Sequence, residues 1–236
     1  MKAPSLAVLA TCAVSTAAIV HPGLLHTDDD FERIRAKVDA GAEPWTTGLQ
    51  KLANRADANW TPNPQETICR GGNAGCTENY AVLFRDVHAA YANAVYWKIT
   101  GNTTHADTAV KIIDAWSSTM KVLTGSTDAA LAAGIYGYQL SNAAEILRTY
   151  DGWSGLDAIT TLLYDVFYEA SERFLRTKNG QPPDHYWANV SSPDFPALAP
   201  KRSSNATNAC VILSCSGTCA VCQTSMPWVF CPITRP

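Results

Sequence analysis

The centre of this chain limits its folding options most, because apolar residues recur there every three or four positions through four successive long segments. The recurring residues are Leu83, Val87, Ala90, Ala94 and Trp97 over 80–100, and Ala109, Ile112, Ile113 and Trp116 over 104–122. Leu140, Ala143, Ala144 and Leu147 follow over 129–150, then Ile159, Leu163, Val166, Phe167 and Phe174 over 156–175. This spacing returns side chains to one face of a helix. Gly101-Asn102 and Asp151-Gly152 interrupt the pattern as helix stops do. Each segment is about five turns long. The short connections make antiparallel packing of neighbours the expectation. Alternation with period two is almost absent, so no sheet is expected. The fold class expected is all-α, built from helical hairpins arranged as a solenoid or a toroid. No strict internal repeat supports the regular solenoid families.

Upstream, Thr27 and Asp28 are candidate N-caps for a helix bearing Phe31, Ile34, Ala36 and Val38 and ending near Gly41. Pro44-Trp45 opens a second, shorter helix through Leu49, Leu52 and Ala53. Residues 59–77, with Pro62, Pro64 and several glycines, read as loop.

Lys2 followed by the uncharged stretch Leu6 to Val20, with small residues at Ser15, Thr16, Ala17 and Ala18, reads as a secretory signal over 1–18. The stretch is shorter than the roughly 20 residues a membrane span needs. The expectation is a secreted monomer with no membrane partner. Secretion makes disulfides plausible. Cys12 leaves with the signal, while Cys69 and Cys76 bracket a glycine-rich loop that a disulfide would close. Two cysteines are half a zinc site, so no metal is expected. Asn59-Trp60-Thr61 and Asn102-Thr103-Thr104 are glycan acceptor sequons, consistent with a secreted glycoprotein. With 18 Lys+Arg against 21 Asp+Glu, nothing in the charge argues for nucleic acid.

Three segments in order resemble the alginate lyase family. The first is His21-Pro22-Gly23-Leu24-Leu25-His26 running into Ile34-Arg35-Ala36-Lys37 and Glu43-Pro44-Trp45. The second is Tyr91 to Trp116, with Ile99-Thr100-Gly101 and Asp114-Ala115-Trp116. The third is Tyr138-Gln139-Leu140 with Asn142-Ala143-Ala144-Glu145-Ile146-Leu147, followed by His185-Tyr186-Trp187-Ala188-Asn189. The detail is closer to the glucuronan- and alginate-cleaving branch than to the branch with Asn-Asn-His before Tyr-Trp. The resemblance implies an incomplete α/α toroid over 19–189. It also implies β-elimination on a uronic acid polymer, an anionic polysaccharide as partner, and no obligatory cofactor. In that chemistry the uronate carboxylate is neutralised, a base takes the C5 proton and an acid protonates the O4 leaving group.

On that resemblance Asn189 is the amide that helps neutralise the carboxylate. Read from the residues alone it is also a helix-start polar residue or, in Asn189-Val190-Ser191, a glycosylated loop site. His185 is a base, a carboxylate donor or a packing residue. The Asn-Asn-His branch has its histidine one position earlier, where this chain has Asp184. Tyr186 and Trp187 are either core aromatics or a sugar-stacking platform. Gln139 and Asn142, three apart on one helix face, and Tyr136 and Tyr138 are candidate substrate contacts; for Asn142 a buried polar fastener is the alternative.

After Asn189 the helical period ends, and residues 190–236 hold Cys210, Cys215, Cys219, Cys222 and Cys231 among clustered Ser and Pro. This irregular tail reads as a retained intron followed by a frameshift. Val190-Ser191 can be encoded by a splice-donor consensus and Cys215-Ser216 by an acceptor. The restored frame permits Trp-Asp-Leu-Cys directly after Asn189. On this reading the family's later helices and catalytic Tyr are absent, and the chain is inactive as it stands. Two rivals remain: a glycoside hydrolase, needing two carboxylates facing a groove, with Asp86, Asp114, Glu145 and Asp184 available, or a non-catalytic glycan-binding scaffold.

Overall fold

A computed structural model describes residues 20–72 and 75–177. The leader, the His185–Asn189 run and the Cys-rich tail lie outside the described residues.

The described chain is mostly helical. Helix α1 (Asp28–Asp39) begins at a capping box: Asp30 N donates to Thr27 Oγ1 at 3.2 Å while Thr27 N donates to Asp30 Oδ2 at 3.1 Å. Asp28, Asp29 and Asp30 in its first turn complement the positive end of the helix dipole. Gly41, at φ 62°, lies just beyond the end of the helix. Helix α2 (Trp45–Ala53) follows Pro44. Helix α3 (Tyr80–Thr100) is the longest, closed by Gly101 in the left-handed region at φ 75°. Asn102 then caps α4 (Thr103–Thr119), its Oδ1 accepting from Thr104 N at 3.2 Å. Helix α5 (Asp128–Leu147) is buried on most sides. Helix α6 (Leu156–Leu162) runs through a π-helical stretch (Leu163–Tyr168) into α7 (Glu169–Thr177).

The expectation of no sheet is corrected. Strands β1 (Thr67–Arg70) and β2 (Val122–Gly125) pair in parallel, Thr67 opposite Val122 and Arg70 opposite Gly125. Four residues are too few for alternation to register, and the pairing is set by distant contacts. Lys121 N and Val122 N both donate to Glu66 O, at 2.8 and 3.0 Å. Asn79 braces β1 from the other side, accepting from Cys69 N at 2.7 Å and donating to Thr67 O at 2.9 Å. The helix expected to reach 122 therefore stops at Thr119, because residues 122–125 are recruited into the pair. The last expected helix, 156–175, keeps its extent but carries the π turn in its middle.

Helices α3 and α4 form the hairpin expected from their short link. Helix α5 packs beside α3 and runs the same way: Tyr136 meets Phe84, ring centroids 6.0 Å apart, and further along Lys98 Nζ donates to Thr149 Oγ1 at 2.9 Å. The core between them holds Leu83, Val87, Ile112, Ile113, Trp116, Leu140 and Leu147, each fully buried. Burying side chains of this size contributes about 1.5–3 kcal/mol apiece against leaving them exposed. Asp86 sits inside this core and takes the indole N–H of Trp60 and of Trp116, both at 2.8 Å, and Asn63 N at 2.7 Å. One buried carboxylate thus ties the loop before β1 to α3 and α4.

Candidate functional site

Strand β1 ends on Arg70, and several devices fix that end. Cys69 and Cys76 are joined by a disulfide, as expected, closing the loop directly after it. Gly71 N donates to Glu78 Oε1 at 2.8 Å, and Ser126 N to Arg70 O at 3.1 Å. Gly125, at φ 137°, lets the two backbones approach: a Cβ there would lie 1.8 Å from Arg70 O. The half-buried Arg70 guanidinium lies over the rings of Tyr80 (4.9 Å to the centroid) and Tyr136 (5.7 Å). Its Nη1 donates to the Tyr136 hydroxyl at 3.1 Å. Among the described residues no carboxylate pairs with it.

From Arg70 the surface continues along one face of α3, where Tyr80, Phe84, His88 and Tyr91 follow at steps of three or four. Phe84 is 46% exposed and presents its ring to solvent on this face. Its ring lies 6.0 Å from Tyr136 and 6.4 Å from the exposed His88. Burial raises the pKa of the Tyr136 hydroxyl, with the Arg70 charge pulling the other way. Tyr136 stays protonated at neutral pH and can orient Arg70.

The far end is closed by residues 20–26, laid against α3 and α5. His26 Nε2 pairs with the Tyr91 hydroxyl at 2.5 Å. Burial lowers the His26 pKa and raises that of Tyr91, the latter helped by Tyr138 nearby. Leu25 N donates to Asn142 Oδ1 at 3.0 Å, while Glu145 pairs with His21 Nδ1 and accepts from Gly23 N and Arg148 Nε.

Of the residues singled out from sequence, Tyr138 is half-buried and in electrostatic contact with Tyr91. Gln139 is half-buried on the neighbouring part of α5, donating to Ile135 O at 3.3 Å. Asn142 is 1% exposed, and both ends of its amide are engaged, by Leu25 N and by Tyr138 O. It serves as the polar fastener that was its alternative reading. His185, Tyr186, Trp187 and Asn189 lie outside the described residues. Arg70, Phe84 and Tyr136 form the core of the arrangement; Tyr136 is a candidate contact from the sequence, whereas Arg70 and Phe84 do not stand out there, their local signals being Arg70 beside a loop cysteine and Phe84 on the polar side of an amphipathic helix. Comparison with protein-family models, with curated proteins and with solved structures returns no match for this chain. The chemical case therefore rests on the geometry: a cation without a counter-charge among the described residues, held by aromatic rings, beside an exposed aromatic face.

Proposed function

We propose that this protein belongs to the polysaccharide lyases of α/α-toroid type and that Arg70 is the receptor for a uronate carboxylate. The observation that carries this is the half-buried guanidinium with no carboxylate partner among the described residues. Taking an arginine partly out of water without a counter-ion costs free energy, and an anionic ligand recovers it. Arginine presents a planar fork of donors that suits a carboxylate. Phe84 beside it offers a flat apolar surface to a sugar ring, and His88 lies one turn further along the same helix.

The parallel course of α3 and α5, with α4 packed antiparallel to α3, supports the toroid, whose inner helices run one way and whose outer helices run the other. Elimination is favoured over hydrolysis because the described carboxylates proposed for a hydrolase are already committed. Asp86 holds Trp60, Asn63 and Trp116; Asp114 accepts from Trp153 Nε1 at 2.9 Å; Glu145 holds the 20–26 segment. In the elimination, Arg70 would offset the charge that builds on the carboxylate as the C5 proton leaves. His185 and Asn189 are the proposed partners in proton transfer and carboxylate neutralisation, on the resemblance stated above.

The ligand side of this proposal is tested with short glucuronate oligomers and the same oligomers after reduction of the carboxylates to alcohols. Saturable binding of the acidic series that weakens with added salt, and none of the neutral series, is the expected result. Equal binding of both would remove the carboxylate from the account and leave only a general sugar-binding surface.

A further inference from the structure

We infer that Asn59 is a glycan attachment site. The claim goes beyond the lyase reading and does not depend on it. The sequon Asn59-Trp60-Thr61 lies in the link between α2 and β1, and its surroundings are tied inward. Asn93 Nδ2 donates to Asp57 O at 3.1 Å and Thr108 Oγ1 to Ala58 O at 2.6 Å. The Trp60 indole N–H reaches Asp86 at 2.8 Å, and Asn63 N reaches the same carboxylate at 2.7 Å. With the middle residue of the sequon anchored in the core, its two neighbours are left outside. Asn59 and Thr61 are both exposed, and neither side chain has a hydrogen-bond partner among the described residues. The Asn59 backbone N–H is already satisfied by Asp57 Oδ1 at 2.8 Å.

That combination meets both demands of the modification. The acceptor amide and the hydroxyl two residues on are free of partners among the described residues, and their exposure leaves room for a bulky, solvated group at the amide. The second sequon differs, because Asn102 Oδ1 caps α4 by accepting from Thr104 N at 3.2 Å. In the transfer, Asn59 Nδ2 bonds to C1 of the reducing-end sugar of a lipid-pyrophosphate-linked oligosaccharide. The C1–oxygen bond to pyrophosphate breaks, its electron pair leaves with the pyrophosphate, and the amide proton is released to base; nothing is oxidised or reduced.

The location also has a consequence for the proposed binding face of α3. Asp86, to which the loop is tied, is two residues on from Phe84, about 200° round the helix. A glycan on Asn59 therefore stands on the side of α3 away from Phe84 and His88 and leaves that face open.

The test is cell-free translation of the full 236-residue chain with microsomes. Its own N-terminal segment is used in one reaction and an unrelated cleavable leader in another. Protease-protected product is treated with the amidase that converts glycosylated Asn to Asp, and its peptides are mapped. Conversion at Asn59, abolished by Thr61→Ala and kept by Thr61→Ser, is the expected result. Conversion behind the unrelated leader alone still supports the site and counts only against the chain's own leader. Protected chain whose Asn59 peptide remains wholly unmodified overturns the inference. Asn59→Gln is expected to leave binding of glucuronate oligomers unchanged within about twofold, as the opposite-face placement requires.

Discussion

Asp86 shows how much one side chain decides. It is 3% exposed and accepts three hydrogen bonds, two of them from indoles, the buried Trp116 and the half-buried Trp60. Asp86→Ala strands all three donors, at about 1–3 kcal/mol each. We expect a loss of at least about 3 kcal/mol in urea unfolding, with Asp86→Asn intermediate because its amide keeps a single acceptor oxygen. A second residue-scale prediction concerns acid. Burial holds the pKa of His26 and His105 below the ordinary 6.5, so both are biased to the neutral form when folded. Unfolding frees them to bind protons, so the unfolded state holds more protons just below pH 6.5 and stability falls as pH falls through that value. Unfolding midpoints between about pH 7.5 and about pH 5.5 should decline, and His105→Gln should flatten the slope; a slope unchanged in the variant would remove His105 from this account. The alternative role of Asn142 was legible beforehand because a buried amide must find partners. Arg70 was not, because nothing local to an arginine tells whether a carboxylate elsewhere in the chain will reach it.

At the scale of elements, the helices could be read and the strands could not. Three- and four-residue periodicity, the candidate N-caps Thr27 and Asp28, and Gly101 followed by Asn102 are local signals, and α1, α3, α4 and α5 form close to where those signals place them. The pairing of β1 with β2 joins residues more than 50 positions apart, and neither strand's four residues announce it. The π stretch Leu163–Tyr168 lies inside an unbroken apolar pattern, and the sequence carries no Pro or Gly there to mark it. The β1–β2 contact is what delivers Arg70, and it depends on the missing side chain of Gly125. Gly125→Ala sets a Cβ 1.8 Å from Arg70 O at φ 137°, a region other residues seldom adopt. It should cost about 2 kcal/mol or more and weaken binding of glucuronate oligomers beyond what the lost stability explains. Unaltered binding in a folded Gly125→Ala protein would mean that the strand pair does not position Arg70.

For the whole molecule, strand β1 with helices α3 and α5 sets Arg70, the proposed anion receptor, beside an aromatic surface, and residues 20–26 lie against α3 and α5, while the residues proposed for proton transfer stand at 185–189. We predict that the 236-residue chain binds uronate oligomers without cleaving them. Incubation with glucuronan or alginate should produce no rise in the ultraviolet absorbance of the unsaturated product. A steady rise would show that the catalytic groups are present and working in this chain.

The measurement that bears most directly on the account is calorimetric titration of glucuronate oligomers into the full chain and into its Arg70→Ala and Arg70→Lys variants, each first shown to be folded. Losing a charge-assisted hydrogen-bonded pair is worth about 1.5–3 kcal/mol. That corresponds to a Kd raised roughly tenfold to more than a hundredfold in Arg70→Ala. Arg70→Lys should recover part of the loss, since a lysine keeps the charge but not the fork. Binding that is the same in all three proteins would contradict the assignment of Arg70 as the carboxylate receptor and, with it, the uronate reading of the site.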